Sequence, residues 1–378
     1  MPRSSFFIVS LMFFTVSFGV AAMAALIPSI AVHFGVAQNY TLKLTWLYML
    51  PYGLIALIWA PISRMFTIRR IFLFTSFGFF VSTLFFSLSE NIHQAFVFRF
   101  LMGCFGCSFV PLSLITIAKT VSPKKKSKYI GTFFGISYIS TFVSVFLSGF
   151  MPWQWLYRIP AILSLLAFAL VLWRLHDFDF RQAKFKINYF KAIKDKKALR
   201  FFLVIMLASS LYHSVQQRLG MYLSQTFDLR QLVISTIFTV STLCAIASEF
   251  LGGFLGSKLG NIKITRIGFI MMSLFVLSLL FVKEHEFLFF VIVLWGAGWA
   301  LTHVGLSTHL THFPDNIQRE ASSLNSSFRF TFGWLGVVLG GFFVGLIGFK
   351  AFFILVALSI FILGFNMNKI IAEEANVS

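Results

Sequence analysis

Four ionisable side chains, Arg99, Arg218, Arg329 and Glu249, stand inside stretches otherwise nearly free of charge. Each stretch is apolar enough to cross a membrane, where a charge near the bilayer centre costs roughly 2.5–3.5 kcal/mol on insertion scales. Each of the four must therefore reach the interface, pair internally or face water. Arg99 and Arg218 lie toward the ends of their stretches, so snorkelling is open to both. Arg329 begins about eight residues into its stretch, roughly 12 Å deep at the helical rise. The remaining acids fall in loops or tails, which leaves Glu249 to act as a gate, paired with Arg329 or a loop lysine, or as a proton carrier.

A guanidinium binds carboxylate or phosphate through a planar fork, and the contact is strong where water is scarce. Up to three cations against one acid suit an organic anion, such as a carboxylate metabolite or chelator. They suit a cationic drug less well, because its charge wants a membrane carboxylate. Polar neighbours follow in two places: Tyr212, His213, Gln216 and Gln217, then Trp295, Trp299, Thr302, His303, Ser307 and His309. The candidate substrate residues are thus Arg99, Arg218, Arg329, His213, Gln217, Trp299 and His303, each histidine being either a titrating group or a hydrogen-bonded packing residue.

Other chemistries lack their residues. There is no H-E-x-x-H, no G-x-S-x-G, no paired intramembrane carboxylate and no G-x-x-x-x-G-K-[ST], so neither an enzyme nor ATP hydrolysis is expected. Cys104, Cys107 and Cys244 lie in apolar segments. The C-x-x-C they include reads as small residues beside Gly103 and Gly106, so no metal, disulfide or other cofactor is expected.

The elements that carry these residues follow from composition. With 378 residues, 58% hydrophobic, 52 phenylalanines and 11% charged, the chain has more apolar side chain than one soluble core can hide. It reads as an all-α polytopic membrane protein partnered by the lipid bilayer. The net charge of +19 is clustered between apolar runs, which argues against nucleic acid as a partner. Twelve runs can cross, near 6–32, 42–63, 70–88, 94–118, 129–151, 155–174, 200–224, 231–256, 264–282, 287–312, 321–346 and 350–368. Arg3 and Ala22-Met23-Ala24 imitate a signal peptide, but no charge interrupts Ser4 to Leu42, too long a run for one, so the first crossing is expected to stay. Lys and Arg collect on one side, at Arg64, Arg69, Arg70, Lys119 to Lys128 and Arg174 to Arg200, which places both ends in the cytoplasm. Residues 175–199 mix Phe185, Ile187, Tyr189, Phe190 and Ile193 with lysines, as a linker in the headgroup layer would. They divide a first bundle, 1–174, from a second, 200–378.

The two halves echo each other. Ala60-Pro61-Ile62-Ser63-Arg64-Met65-Phe66-Thr67-Ile68-Arg69-Arg70 answers Gly252-Gly253-Phe254-Leu255-Gly256-Ser257-Lys258-Leu259-Gly260-Asn261-Ile262-Lys263, and Gly149-Phe150 answers Gly341-Phe342 at an offset of 192. Gly131 and Gly135, and Gly333, Gly336, Gly340 and Gly341, are expected to let helices approach closely, whether to slide or simply to pack. With Arg99-Phe100-Leu101-Met102-Gly103, Val110-Pro111, Trp153-Gln154-Trp155 and Asn325-Ser326-Ser327-Phe328-Arg329-Phe330, the chain resembles the major facilitator superfamily, in particular its twelve-span multidrug and metabolite exporters. The family loop G-x-L-a-D-R-x-G-R-R is degenerate here, with Arg64 and Ser257 at its acidic position, and the exporters' helix-five proline is missing.

That resemblance implies two pseudo-symmetric six-helix bundles and alternating access driven by an ion or proton gradient. Arg69, Arg70, Gly253, Lys258 and Gly260 would join Glu249 in gating. It implies a monomer in a bacterial inner membrane moving a small-molecule substrate. The alternatives are a multidrug-type proton antiporter and a non-transporting receptor or scaffold.

Overall fold

A computed structural model describes residues 1–181, 189–310, 313 and 315–371. Every regular element among the described residues is helical: α1 (Arg3–Ala21), α2 (Met23–Phe34), α3 (Gln38–Thr41), α4 (Lys43–Ile62), α5 (Ile68–Ser87), α6 (Ile92–Gly106), α7 (Phe109–Thr120), α8 (Pro123–Leu147), α9 (Trp155–Arg174), α10 (Tyr189–Lys194), α11 (Lys196–Phe227), α12 (Gln231–Leu259), α13 (Asn261–Ser278), α14 (Glu286–His309) and α15 (Asp315–Ile371). In hydrocarbon a helix must satisfy its polar groups internally. Its hydroxyls do so one turn back, as when Thr75 donates to Ile71 O (3.0 Å), Thr116 to Leu112 O (2.8 Å) and Thr239 to Ser235 O (2.7 Å). Helix ends have their own devices. Asn91 Oδ1 accepts from Gln94 N, Asp195 Oδ1 accepts from Lys197 N and Ala198 N, and Gly260 takes φ 89° between α12 and α13.

Eleven stretches among the described residues are long and apolar enough to cross a membrane. The last, Ser323–Ile371, has 49 residues, more than twice what a core of about 30 Å requires. Its backbone leaves the helical region at Gly348 (φ 72°, ψ 170°), which divides α15 in two and brings the crossings to twelve. Large apolar side chains point outward, as Trp173 (75% exposed) and Phe281 (78%) do, toward what would be lipid. Phe79, Phe86, Phe109 and Phe133 are fully enclosed, so the phenylalanine excess serves both faces.

The chain forms two compact units, Met1–Ile187 and Asn188–Ser378. In the first, α5 packs on α6 and α9, α4 on α6, and α1 on α8 and α9. In the second, α13 packs on α14 and the end of α15, α12 on α14, and α11 on both parts of α15. These are the same helix pairs in repeat order. Each unit also has one glycine pressed against main chain at matching places, Gly103 on Tyr48 O and Gly296 on Ser241 O. The differences 296 − 103 and 241 − 48 both give 193. The repeat register is therefore 193 rather than the 192 read from Gly149 and Gly341; close backbone packing fixes it more tightly than a glycine at a helix end.

The segment after α9 lies along the first unit as a strap. Leu175 and Phe178 are buried, Phe178 O accepts from Ile68 N (3.2 Å), and Lys119 Nζ stands 4.4 Å from the Phe180 ring. At its exposed end the side chain of Arg181 hydrogen-bonds the Asp179 carboxyl and holds it at about 2, so the pair stays charged at any ordinary pH. Lys184, Phe185, Lys186 and Ile187 of the expected linker lie outside the described residues. α11 already starts at Lys196, four residues before the expected second bundle, because Asp195 caps it there.

Candidate functional site

Arg99, in α6, is 1% exposed. Its Nη1 donates to Gly19 O (3.1 Å) and its Nε to Leu44 O (3.3 Å), and the guanidinium lies 4.5, 5.4 and 5.6 Å from the rings of Tyr48, Tyr157 and Phe86. The reason lies in α1, which breaks at Ala22. Carbonyls just before such a break need donors from the protein. Ser144 Oγ serves Phe18 O (2.6 Å) and Arg99 serves Gly19 O. Rings and carbonyls thus enclose Arg99, and it braces α1, α4 and α6.

Arg218 is likewise held by main chain. It is 2% exposed, with Nη1 donating to Ser214 O (3.2 Å) and Nη2 to Val337 O of α15. Gly340 leaves the room, since a Cβ there would stand 2.7 Å from Arg218 Nη1. Rather than snorkelling outward, this arginine ties α11 to α15.

The other candidates converge within the second unit. On α14, Trp299, His303 and Ser307 follow at intervals of four and share one face. Glu249 of α12 meets His303, Oε1 to Nδ1, at 2.9 Å, both half-buried. Arg329 of α15 donates from Nε to Asn325 Oδ1 (3.1 Å) and from Nη2 to Ser307 Oγ (3.4 Å). Its own carbonyl accepts from Ser209 Oγ (2.5 Å), which fixes this turn of α15 against α11. Tyr212 of α11 stacks between Trp295 (4.9 Å, 14°) and Trp299 (3.7 Å, 11°). The His213 ring stands 6.2 Å from that of Trp299, and its Nδ1, like Gln217 Oε1, is buried with no hydrogen-bond partner among the described residues. Arg329, Glu249, His213, Trp299 and His303 thus belong to one polar and aromatic cluster, and Gln217 follows His213 one turn along α11.

The first unit has no such cluster at the matching positions. Shifted by 193, Tyr212, His213, Gln217 and Glu249 fall on Gly19, Val20, Ala24 and Ala56, while Trp299, His303, Ser307 and Arg329 fall on Gly106, Val110, Leu114 and Ile136. The repeat keeps the helices and differs in their chemistry, so the cluster is a specialisation of one half. Sequence reasoning missed Asn325 as the holder of Arg329, although a spacing of four on one helix signals it. It also grouped Thr302 with the cluster, whereas Thr302 Oγ1 faces Gly268 of α13.

The other gating candidates fall near the start of α5 and the end of α12. Arg69 donates to Leu172 O, Arg70 is exposed, and Gly253 has open space where a Cβ would be. Lys258 Nζ stands 4.4 Å over Phe254, while Gly260 supplies the positive φ that the α12–α13 turn needs.

A family profile described as Major Facilitator Superfamily matches residues 9–230 and 201–372. A protein of Aquifex aeolicus described as uncharacterized is 28% identical over 143 residues, 38% of this chain and 37% of that protein. An uncharacterized transporter of Schizosaccharomyces pombe is 30% identical over 162 residues, 42% of this chain and 33% of that protein. Multidrug resistance protein 3 of Bacillus subtilis is 24% identical over 140 residues, 36% of this chain and 27% of that protein. The chain therefore spans about a third of the length of the curated relatives it matches. Among solved structures, the human organic anion transporter MFSD10 (TETRAN) has TM-score 0.72 at 14% identity, covering 97% of this chain and 100% of that one. A POT family transporter in complex with 5-aminolevulinic acid has TM-score 0.79 at 13% identity, covering 98% and 97%. At these identities the likeness is one of fold.

Proposed function

The chain belongs to the major facilitator superfamily, and on that premise we propose that it is a secondary transporter of a small organic anion, a carboxylate metabolite or chelator. It works by alternating access as a monomer in a bacterial inner membrane, with both ends cytoplasmic. One observation carries the choice of anion. Among Arg99, Arg218 and Arg329, the last is half-buried and held by side chains, whereas Arg99 and Arg218 are committed to main-chain carbonyls. A guanidinium oriented at both Nε and Nη2 presents its charge in a fixed plane, and a carboxylate reads that plane. No gradient other than an ion or solute gradient is needed, since no ATP-binding loop accompanies the fold.

Glu249 and His303 supply the coupling. Ser307 lies one turn from His303 and touches Arg329, so the ionisable pair and the anion-binding arginine share one face of α14. A proton taken up at the pair changes the charge that the anion and Arg329 meet.

Uptake of labelled carboxylates into proteoliposomes tests the reading. Arg329→Gln is expected to lower transport at least tenfold with the folded yield unchanged. Arg329→Lys is expected to recover part of it, since it keeps the charge but not the fork. Unchanged anion transport in both variants overturns the proposal. Glu249→Gln is expected to abolish acceleration by an imposed pH gradient while anion exchange at equal pH continues; a variant that still responds to the gradient removes Glu249 from coupling. The second reading, a multidrug-type proton antiporter, has in its favour that Glu249 stands near aromatic rings, as a lipophilic cation would want. Transport of aromatic cations and not of acids would select it, and movement of no solute under any gradient would select a receptor or scaffold.

A further inference from the structure

The ring column of the second unit narrows the class of anion. Trp295, Tyr212 and Trp299 stand in sequence with near-parallel planes, 14° and 11° apart. One end of the column is closed. Trp295 is fully buried, donates from Nε1 to Gln216 Oε1 (2.5 Å) and has Phe275 tilted against it at 5.2 Å. Trp299, at the other end, is half-buried, and Tyr212 covers one of its faces. Around it stand His213, edge-on at 6.2 Å, and His303, tilted at 6.4 Å.

Packing alone does not account for this column. Here three large rings are brought into register by a hydrogen bond at the closed end and left open at the other. A polar atom near the open end, His213 Nδ1, is buried and has no hydrogen-bond partner among the described residues. A buried polar atom without a partner is costly, so such atoms point to something that completes them, a ligand or water.

The same face of α14 leads from the ring to the charge. Trp299, His303 and Ser307 rise in steps of four residues, and Arg329 reaches Ser307. Eight residues along a helix are about 12 Å, which is the rise from Trp299 to the Ser307 that Arg329 touches.

We propose that the substrate is an aromatic carboxylate, a flat ring joined to its acid by a short chain, with the ring extending the Trp295–Tyr212–Trp299 column and the acid on Arg329. This rests on the reading of Arg329 as an anion site. Rings stack in offset, near-parallel fashion at separations of the kind already present in the column, while the chain spans the turns between ring and guanidinium.

The test compares phenylpropionate with hexanoate, two monoacids of similar length of which one has a ring, in proteoliposomes of the full chain. The aromatic acid is expected to show at least fivefold tighter apparent affinity in transport. Trp299→Leu should remove that preference, weakening the affinity for the aromatic acid at least fivefold more than that for hexanoate. Trp299→Phe, which keeps a ring, should retain most of the preference and guards against loss by misfolding. Equal affinities in the unaltered protein, or an equal effect of Trp299→Leu on both acids, would overturn the aromatic class and leave the anion reading standing. Transport of neither acid would overturn both.

Discussion

Replacing Arg99 by leucine is expected to lower the yield and thermal stability of the folded protein and to leave the solute affinity of the folded fraction alone. Two effects oppose each other. Removing the guanidinium relieves the burden of holding a charge away from water, and replacing every member of a buried polar set by apolar groups is often neutral. Here only one member can be replaced, because its partners are the carbonyls of Gly19 and Leu44, which no substitution removes. A buried acceptor left without a donor costs about 1–3 kcal/mol, so two of them set a loss of about 2–6 kcal/mol before the rings of Tyr48, Phe86 and Tyr157 repack. Lysine should fall between, since a single ammonium is a poor substitute for a fork that reaches two helices. Thermal unfolding in detergent and the transport affinity of the purified, monodisperse fraction separate the outcomes. A stable variant with weakened affinity would return Arg99 to the substrate site.

The same comparison shows what the sequence can and cannot reveal. Hydropathy read the twelve crossings because each depends on a local run of apolar residues, and the two spans in α15 were legible as separate runs, 321–346 and 350–368. The roles of the three arginines were not legible, because type and depth are local while partners are not. Arg218 stood near enough to an interface to snorkel, yet it turns inward because Gly340, 122 residues later, leaves a hole beside Val337 O. Arg99 looks like a residue that could face water until the break at Ala22 exposes a carbonyl 80 residues earlier. Asn325 and Arg329 were readable as a pair, being one turn apart on one helix. The location of the cluster in the second repeat becomes plain once close packing sets the register at 193, because Glu249 and His303 then face Ala56 and Val110 in the alignment.

Glycine spacing misleads in the same manner, and this yields the second large effect. Gly131 and Gly135 in α8 repeat at four, as Gly336 and Gly340 do in α15, and both pairs look like close-approach faces. A Cβ at Gly131 or Gly135 would meet nothing within 4 Å, whereas one at Gly336 would collide with the backbone carbonyl of Ser210. Gly336→Ala is therefore expected to push α11 and α15 apart. Main chain has no rotamer to swing aside, and overpacking of this kind typically costs about 1–3 kcal/mol. The damage extends to function, since Ser209 Oγ to Arg329 O (2.5 Å) and Ser210 Oγ to Phe332 O (2.8 Å) bridge the same two helices. Losing them releases the turn that carries Arg329 and moves its guanidinium relative to Ser307, so anion transport should fall even in the fraction that folds. Gly131→Ala is the control. It adds the same methyl to an open face and should be neutral or slightly stabilising, because alanine is favoured over glycine in a helix by roughly 1 kcal/mol. Melting temperature and anion uptake for the two variants decide the matter. Equal behaviour would mean that contact between α11 and α15 does not hold Arg329 in place.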